Sequence, residues 1–287
     1  MRGFGWQRRS RWQRLDQARA LDPVTDQHRI ARLLTEYEFP WDMVRSLELA
    51  LFRTYAVPSI GALLHRTGEF ERAAQKRYDD TVVLLYEIWL DDAGSEGGSA
   101  AAGRLNQIHH RYRIGNADYL YTLATFVVMP VRWNAEFGWR RMDPVEIAGW
   151  TNAMRSMGQA MGLTDIPLQY QQFSDLLDEY ERAHFGYRPA SRAVADATLR
   201  LLGSWYPRPL RPLARWTAVL LLDRELAAAL RLPAGPAVAR WLVRAGLRAR
   251  ALAIRLGPPR PASRPYRIRT RTYPTGYRLD ELGPQLP

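Results

Sequence analysis

Apolar residues in this chain recur at spacings of three and four from Trp41 to Leu256, and no segment alternates convincingly with the two-residue period of a half-buried strand. That single periodicity excludes sandwiches, barrels and wound sheets and predicts an all-α, multi-helix single domain. Helices are expected at 41–56, 58–65, 70–90, 101–112, 117–129, 143–161, 169–184, 191–205, 213–230 and 236–256. The run Asp91-Asp92-Ala93-Gly94-Ser95-Glu96-Gly97-Gly98-Ser99 reads as a flexible linker. Asp143-Pro144-Val145-Glu146 is the clearest start signal, with an acid to cap, a proline at the first helical position and a glutamate three residues after the cap. From Gly257 onward the chain is rich in proline and arginine and should be irregular. No internal repeat is visible.

Charge narrows the function classes. The net charge is +12, yet residues 190–287 hold 18 arginines against five acids and residues 1–20 hold six against one. The body between is mildly acidic, so a phosphate footprint spread over the fold is absent and no nucleic-acid partner is expected. Only Lys76 among the 41 basic residues is a lysine. There is no cysteine, which removes disulfides, thiolate haem ligation, iron–sulfur clusters and cysteine zinc sites. HExxH, P-loop, GxGxxG and GxSxG motifs are all missing. The longest uncharged apolar stretch, Tyr119 to Val131, is 13 residues, short of the ~20 that a spanning helix needs. The N-terminus has no apolar run behind its arginines. A cytoplasmic protein, with peripheral contact at the inner membrane face, is the expectation.

Two helices carry the chemistry. On 70–90, the residues Phe70, Ala73, Ala74, Arg77, Thr81, Leu84, Leu85 and Ile88 share one stripe. Arg77 and Thr81 sit in its middle. An inward arginine needs compensation, because an unpaired buried charge costs several kcal/mol. Either a carboxylate from elsewhere in the fold pairs with Arg77, or an anionic ligand does, with Thr81 adding a hydroxyl one turn on. On 101–112, His109 shares the apolar face with Leu105, Ile108 and Tyr112, while His110 projects away. His109 is therefore either a hydrogen-bonded core histidine or a ligand. Adjacent helical residues diverge by about 100°, so the pair cannot chelate one metal. A two-histidine-one-carboxylate iron site would need His65 or His184 beside His109.

The residues then become familiar in order: Gly68-Glu69-Phe70, Lys76-Arg77-Tyr78, Asp80-Thr81, Arg104-Leu105-Asn106-Gln107-Ile108-His109, Arg113-Ile114, Asn116 and Asp118-Tyr119-Leu120-Tyr121-Thr122-Leu123. Pro130-Val131-Arg132-Trp133, Trp139-Arg140, Met161-Gly162, Asp165-Ile166-Pro167, Tyr180-Glu181, Tyr273-Pro274-Thr275-Gly276-Tyr277 and Glu281-Leu282-Gly283 continue the series. This series resembles the MpaB family of oxygenases, which shares its catalytic domain with the rubber oxygenase called latex clearing protein. The likeness is best over 65–205. It implies an all-helical fold with a pocket for haem b between core helices, His109 as the axial iron ligand, and Arg77 and Thr81 in the haem environment. It also implies dioxygen and a small lipophilic, isoprenoid-like substrate, oxygenated or cleaved at a C=C bond. One departure is Asp80, which stands where the rubber enzyme has a lysine. The organisation that follows is a basic arm over 1–34, a helical oxygenase-like domain over 35–256 and a Pro/Arg-rich tail over 257–287. The competing class is a helical protein that holds haem or a hydrophobic ligand without turnover.

Helix 236–256 adds a separate expectation. Val238, Trp241, Leu242, Ala245, Ala249 and Leu252 form one face, with Arg240, Arg244, Arg248, Arg250 and Arg255 round the other. Either the apolar face packs on the core and the arginines are solvated, or the helix lies on an anionic membrane.

Overall fold

The computed structural model describes residues 11–90 and 96–284, and among them the regular structure is helical throughout. Four short or medium elements open the chain: α1 (Gln13–Arg19), α2 (Gln27–Arg32), a π-helical turn over Leu33–Glu38, and α3 (Pro40–Thr54). Then come α4 (Pro58–Thr67), α5 (Glu69–Arg72), α6 (Ala74–Leu90), α7 (Glu96–His109) and α8 (Asn116–Phe137). The second half holds α9 (Pro144–Ala160), α10 (Tyr170–His184), α11 (Pro189–Ser204), α12 (Arg211–Leu220), α13 (Arg224–Ala229) and α14 (Ala237–Leu256).

The main core forms where α8 packs against α3, α9 and α10, with α2 and α6 closing its flank. Trp150, Tyr121, Phe39 and Phe173 are fully buried there, and Trp89 meets Trp150 edge to face at 5.3 Å. A second apolar cluster, around Phe52, Val194, Leu199, Leu226 and Leu230, joins α3 to α11 and α13. Gly149 lets α2 and α9 approach closely, since a Cβ there would meet the Ile30 side chain at 2.6 Å.

Several boundaries follow the sequence closely. Asp143 caps α9 by accepting from Val145 N at 3.1 Å while Glu146 accepts from Asp143 N at 2.8 Å, and Gly162, at φ +76°, takes the left-handed turn that ends it. Others differ for identifiable reasons. Residues 70–90 are two helices, broken where Ala73 adopts φ −141°. Helix α8 does not stop at Met129: it runs through Pro130 to Phe137. Proline has no N–H to bond the carbonyl four residues back, and that carbonyl, on Phe126, accepts the Trp150 indole N–H at 3.0 Å instead. The expected helix 213–230 is split at Asp223, which accepts from Leu226 N at 2.8 Å and starts α13. Helix α7 begins at Glu96, inside the expected linker, and ends at His109 rather than Tyr112. Of that linker, Asp91–Ser95 lies outside the described residues.

Both terminal segments, as far as they are described, pack on the body. The expected basic arm carries α1 and α2, whose Leu15, Ala18, Ile30 and Ala31 are buried. Its arginines have partners there, with the Arg11 guanidinium 4.2 Å over Trp139 and Arg19 2.9 Å from Asp143. Residues 1–10 lie outside the described residues. The tail is largely irregular, as expected, but it is pinned. Tyr266 N donates to Glu36 O at 2.9 Å, and Leu282 is fully buried.

Helix α14 contradicts the first of its two expected orientations. Its apolar stripe faces outward: Val238 is 68% exposed, Trp241 63%, Leu242 57% and Leu252 56%. Arg250 instead donates to Asp42 at 3.0 Å, Arg240 to Leu222 O at 2.7 Å, and Arg244 to Glu136. A helix with apolar residues all round can turn either way, and the buried acceptors on neighbouring elements decide which face turns in.

Candidate functional site

Helix α6 presents Leu84, Leu85 and Ile88 to the core, all under a tenth exposed. One to two turns earlier, on the same side, stand Arg77 and Thr81. The Arg77 guanidinium donates to Thr81 Oγ1, and the Thr81 hydroxyl spends its own proton on the Arg77 carbonyl at 2.8 Å. The threonine thus holds the guanidinium by a lone pair, without neutralising it. Phe70 lies 5.8 Å from the guanidinium and meets Tyr55 edge to face at 5.5 Å. Among the described residues no carboxylate lies within ion-pair distance of Arg77. The salt-bridge alternative for this arginine is not realised.

His109 is the last residue of α7, which packs against α6. Its ring is 5.6 Å from that of Tyr119, and its Nδ1 is buried with no hydrogen-bond partner. Burial, then the positive charge of Arg77 and then that of His110, pushes the imidazole down to about 4. His109 is accordingly neutral at physiological pH, the form that ligates metals. Arg77 and Thr81 on α6 and His109 on α7 thus stand on two packed helices, with the Arg77 charge bearing on the imidazole. A neutral imidazole and a half-buried arginine with no carboxylate partner among the described residues could hold an iron-bearing anionic group such as haem.

The other histidines are occupied elsewhere. His65 Nδ1 is 3.0 Å from Glu71, His28 Nδ1 is 3.1 Å from Trp89 O, and His184 stacks on Tyr180 at 4.0 Å. Among the described residues no three histidines or acids gather into a metal-binding group, so a two-histidine-one-carboxylate centre at His109 is not assembled.

Asp80 points away from this neighbourhood. It accepts from Lys76 Nζ at 2.8 Å and from the Tyr273 hydroxyl at 2.5 Å. Sequence reasoning missed what this does. Lys76 also donates to Gly283 O at 2.8 Å, Arg104 donates to Leu282 O at 2.7 Å, and the Asp79 carboxylate accepts from Thr272 N at 2.7 Å. The tail is thereby strapped across α6 and α7, fixing the two helices that bear Arg77 and His109. The signal was the repeated pairing of Tyr273–Tyr277 and Glu281–Gly283 with the family series.

The adjoining face of α6, with Tyr78, Val82 and Trp89, lines a small apolar cavity of about 50 Å³ against Met43 and Leu47 of α3. Its polar end is Glu48, which accepts from the Tyr78 hydroxyl at 2.6 Å and pairs with Arg45 at 2.7 Å. Burial outweighs the Arg45 charge and lifts the Glu48 carboxyl to about 7.

Comparison with known proteins identifies the family. The chain is 30% identical over 253 residues to the ER-bound oxygenase mpaB' of Penicillium brevicompactum, covering 82% of this chain and 60% of that protein. It is 32% identical over 216 residues to the ER-bound oxygenase mpaB of the same organism, covering 69% and 55%. With the ER-bound oxygenase mpaB of Penicillium roqueforti (strain FM164) the identity is 30% over 222 residues, covering 70% and 74%. The chain therefore spans little more than half the length of the two Penicillium brevicompactum relatives. Residues 43–255 match the family described as ER-bound oxygenase mpaB/B'/Rubber oxygenase, catalytic domain, and by that span the chain belongs to this family of oxygenase catalytic domains.

Proposed function

We propose that this chain is a haem-dependent oxygenase of a small lipophilic, isoprenoid-like substrate, catalysing oxygenation or oxidative C=C cleavage. The observation that carries the reading is an arginine with no carboxylate partner among the described residues, its charge bearing on a neutral histidine whose Nδ1 is buried and unpartnered on the packed neighbouring helix. Family membership supports the oxygenase part.

In this reading His109 would hold the haem iron, and its depressed basicity keeps the imidazole neutral and able to ligate. Arg77, steadied by Thr81, would hold a haem propionate by a charge-assisted hydrogen bond. Phe70, beside the guanidinium, and Tyr55, which packs on Phe70, would limit water around that contact and strengthen it. Bound haem b would supply the redox centre at which dioxygen and substrate react. The chain's own part is to fix the ligand, balance the propionate charge and exclude solvent. A lipophilic substrate resides in bilayers, so a cytoplasmic enzyme placed peripherally at a membrane has the shortest route to it.

The test is the absorption spectrum of protein made with haem supplementation. The expected result is a Soret band that His109→Ala abolishes. A band unchanged in that variant, or absent from the parent, rejects the haem assignment. Oxygen uptake with candidate terpenoids then separates turnover from simple haem storage.

A further inference from the structure

The outward apolar face of α14 is more than one misplaced side chain. Val238, Trp241, Leu242, Ala249, Leu252 and Leu256 fall within one stripe at spacings of three and four, and all are exposed, Leu256 at 80%. From Val238 to Leu256 the stripe runs about 27 Å at a rise of ~1.5 Å per residue. The face continues onto α12. The Trp216 indole nitrogen lies 3.8 Å from where a Cβ on Gly235 would stand, three residues before Val238, and Trp216 and Leu213 are 40% and 55% exposed. Soluble chains rarely leave a contiguous apolar surface of this kind without an occupant.

Charge selects the occupant. Arg248, whose side chain is 60% exposed although it reaches Glu136 at 3.4 Å, and the exposed Arg255 border the stripe on one side, and the exposed Arg208 stands just before α12. Of the five acids in residues 190–287, Asp196 is already paired with Arg192 and Asp223 with Arg53. The inward arginines Arg240, Arg244 and Arg250 tie α14 to the body, so the helix is held rigidly with its apolar side out. A long apolar stripe with tryptophans and an arginine border matches the interface of an anionic bilayer, where the rings sit at headgroup level and the guanidinium groups meet phosphates. Among the described residues no single helix is long and apolar enough to cross a membrane, and a stripe along one side of a helix suits lying on a surface.

We propose that the α12–α14 face docks this protein onto an anionic lipid surface. The inference deepens the peripheral placement suggested above by naming the face, and it does not depend on haem. The experiment is co-sedimentation of the full chain with phosphatidylcholine vesicles and with mixed phosphatidylcholine–phosphatidylglycerol vesicles at low salt. Binding is expected on the mixed vesicles and falls by about tenfold or more in Arg248→Glu/Arg255→Glu, given the contribution of each interfacial arginine. Trp241→Ser/Leu252→Ser should lose binding as well. All four side chains are exposed or border the face, so unchanged melting temperatures verify that both variants fold. Equal binding to both vesicle types, or to neither, overturns the proposal. So does a dimer in light scattering that Trp241→Ser/Leu252→Ser dissolves without any vesicle binding, which would assign the face to a second copy. The Soret band, recorded on the same samples, reports the haem reading separately.

Discussion

Arg53 and Arg140 are both buried, each between two acids. Arg53 bonds Glu181 and Asp223, and Arg140 lies 2.9 Å from Glu38 and 2.6 Å from Glu146. Arg77, half-buried, has among the described residues only the Thr81 hydroxyl and the Phe70 ring beside its guanidinium. Neutralised arginines are part of how the helices dock. The proposed function uses the arginine whose charge the described residues leave without a carboxylate, together with the neutral His109 on the neighbouring helix.

The contrast can be broken most forcefully at Arg140. Arg140→Ala strands two buried carboxylates, and chemical denaturation should record a loss of about 3–5 kcal/mol. A loss below ~1 kcal/mol would mean that these ion pairs do not organise the core. Glu48 tests the carboxylate side of the same idea, because a single cation, Arg45, does not hold it ionised. Its folded value, about 7, lies above the ordinary 4.5. The folded state therefore takes up the proton first, and the associated stability is complete below pH 4.5 and lost as pH rises through 7. At about 1.4 kcal/mol per unit of displacement, the difference in stability between parent and Glu48→Gln should change by up to about 3 kcal/mol across that window. Parallel pH profiles for the two proteins would contradict it. The smallest stability effect is expected at Arg77. Arg77→Ala breaks no ion pair, so unfolding should move by no more than about 1 kcal/mol, while haem titration followed at the Soret band should show weakened retention. A large loss of stability with normal haem retention would reclassify Arg77 with Arg53 and Arg140.

How much of this was written in the sequence varies from helix to helix. The α6 stripe and the inward aim of His109 follow from spacing alone, because a helix fixes which residues share a side. The capping box at Asp143 is equally local. Pro130 misleads for the opposite reason: the donor that lets α8 continue is the Trp150 indole, twenty residues away on another helix. The orientation of α14 is also non-local. Both of its sides carry apolar residues, and only the positions of Asp42, Glu136 and the Leu222 carbonyl settle which one turns in. The absence of a carboxylate beside Arg77 could not be read from the chain at all, since it depends on where every other acid went.

The strap formed by the tail has a consequence in time. Lys76 and Gly283, joined at 2.8 Å, are 207 residues apart in the chain. At ribosomal speeds of about 5–20 residues per second, α6 emerges roughly 10–40 s before the segment that will lock it to α7. During that interval Arg77 and His109 exist on helices whose mutual spacing is not yet fixed. If the proposed site holds a cofactor, loading would wait for synthesis of the strap, and the nascent chain would carry Arg77 and His109 before their spacing is set.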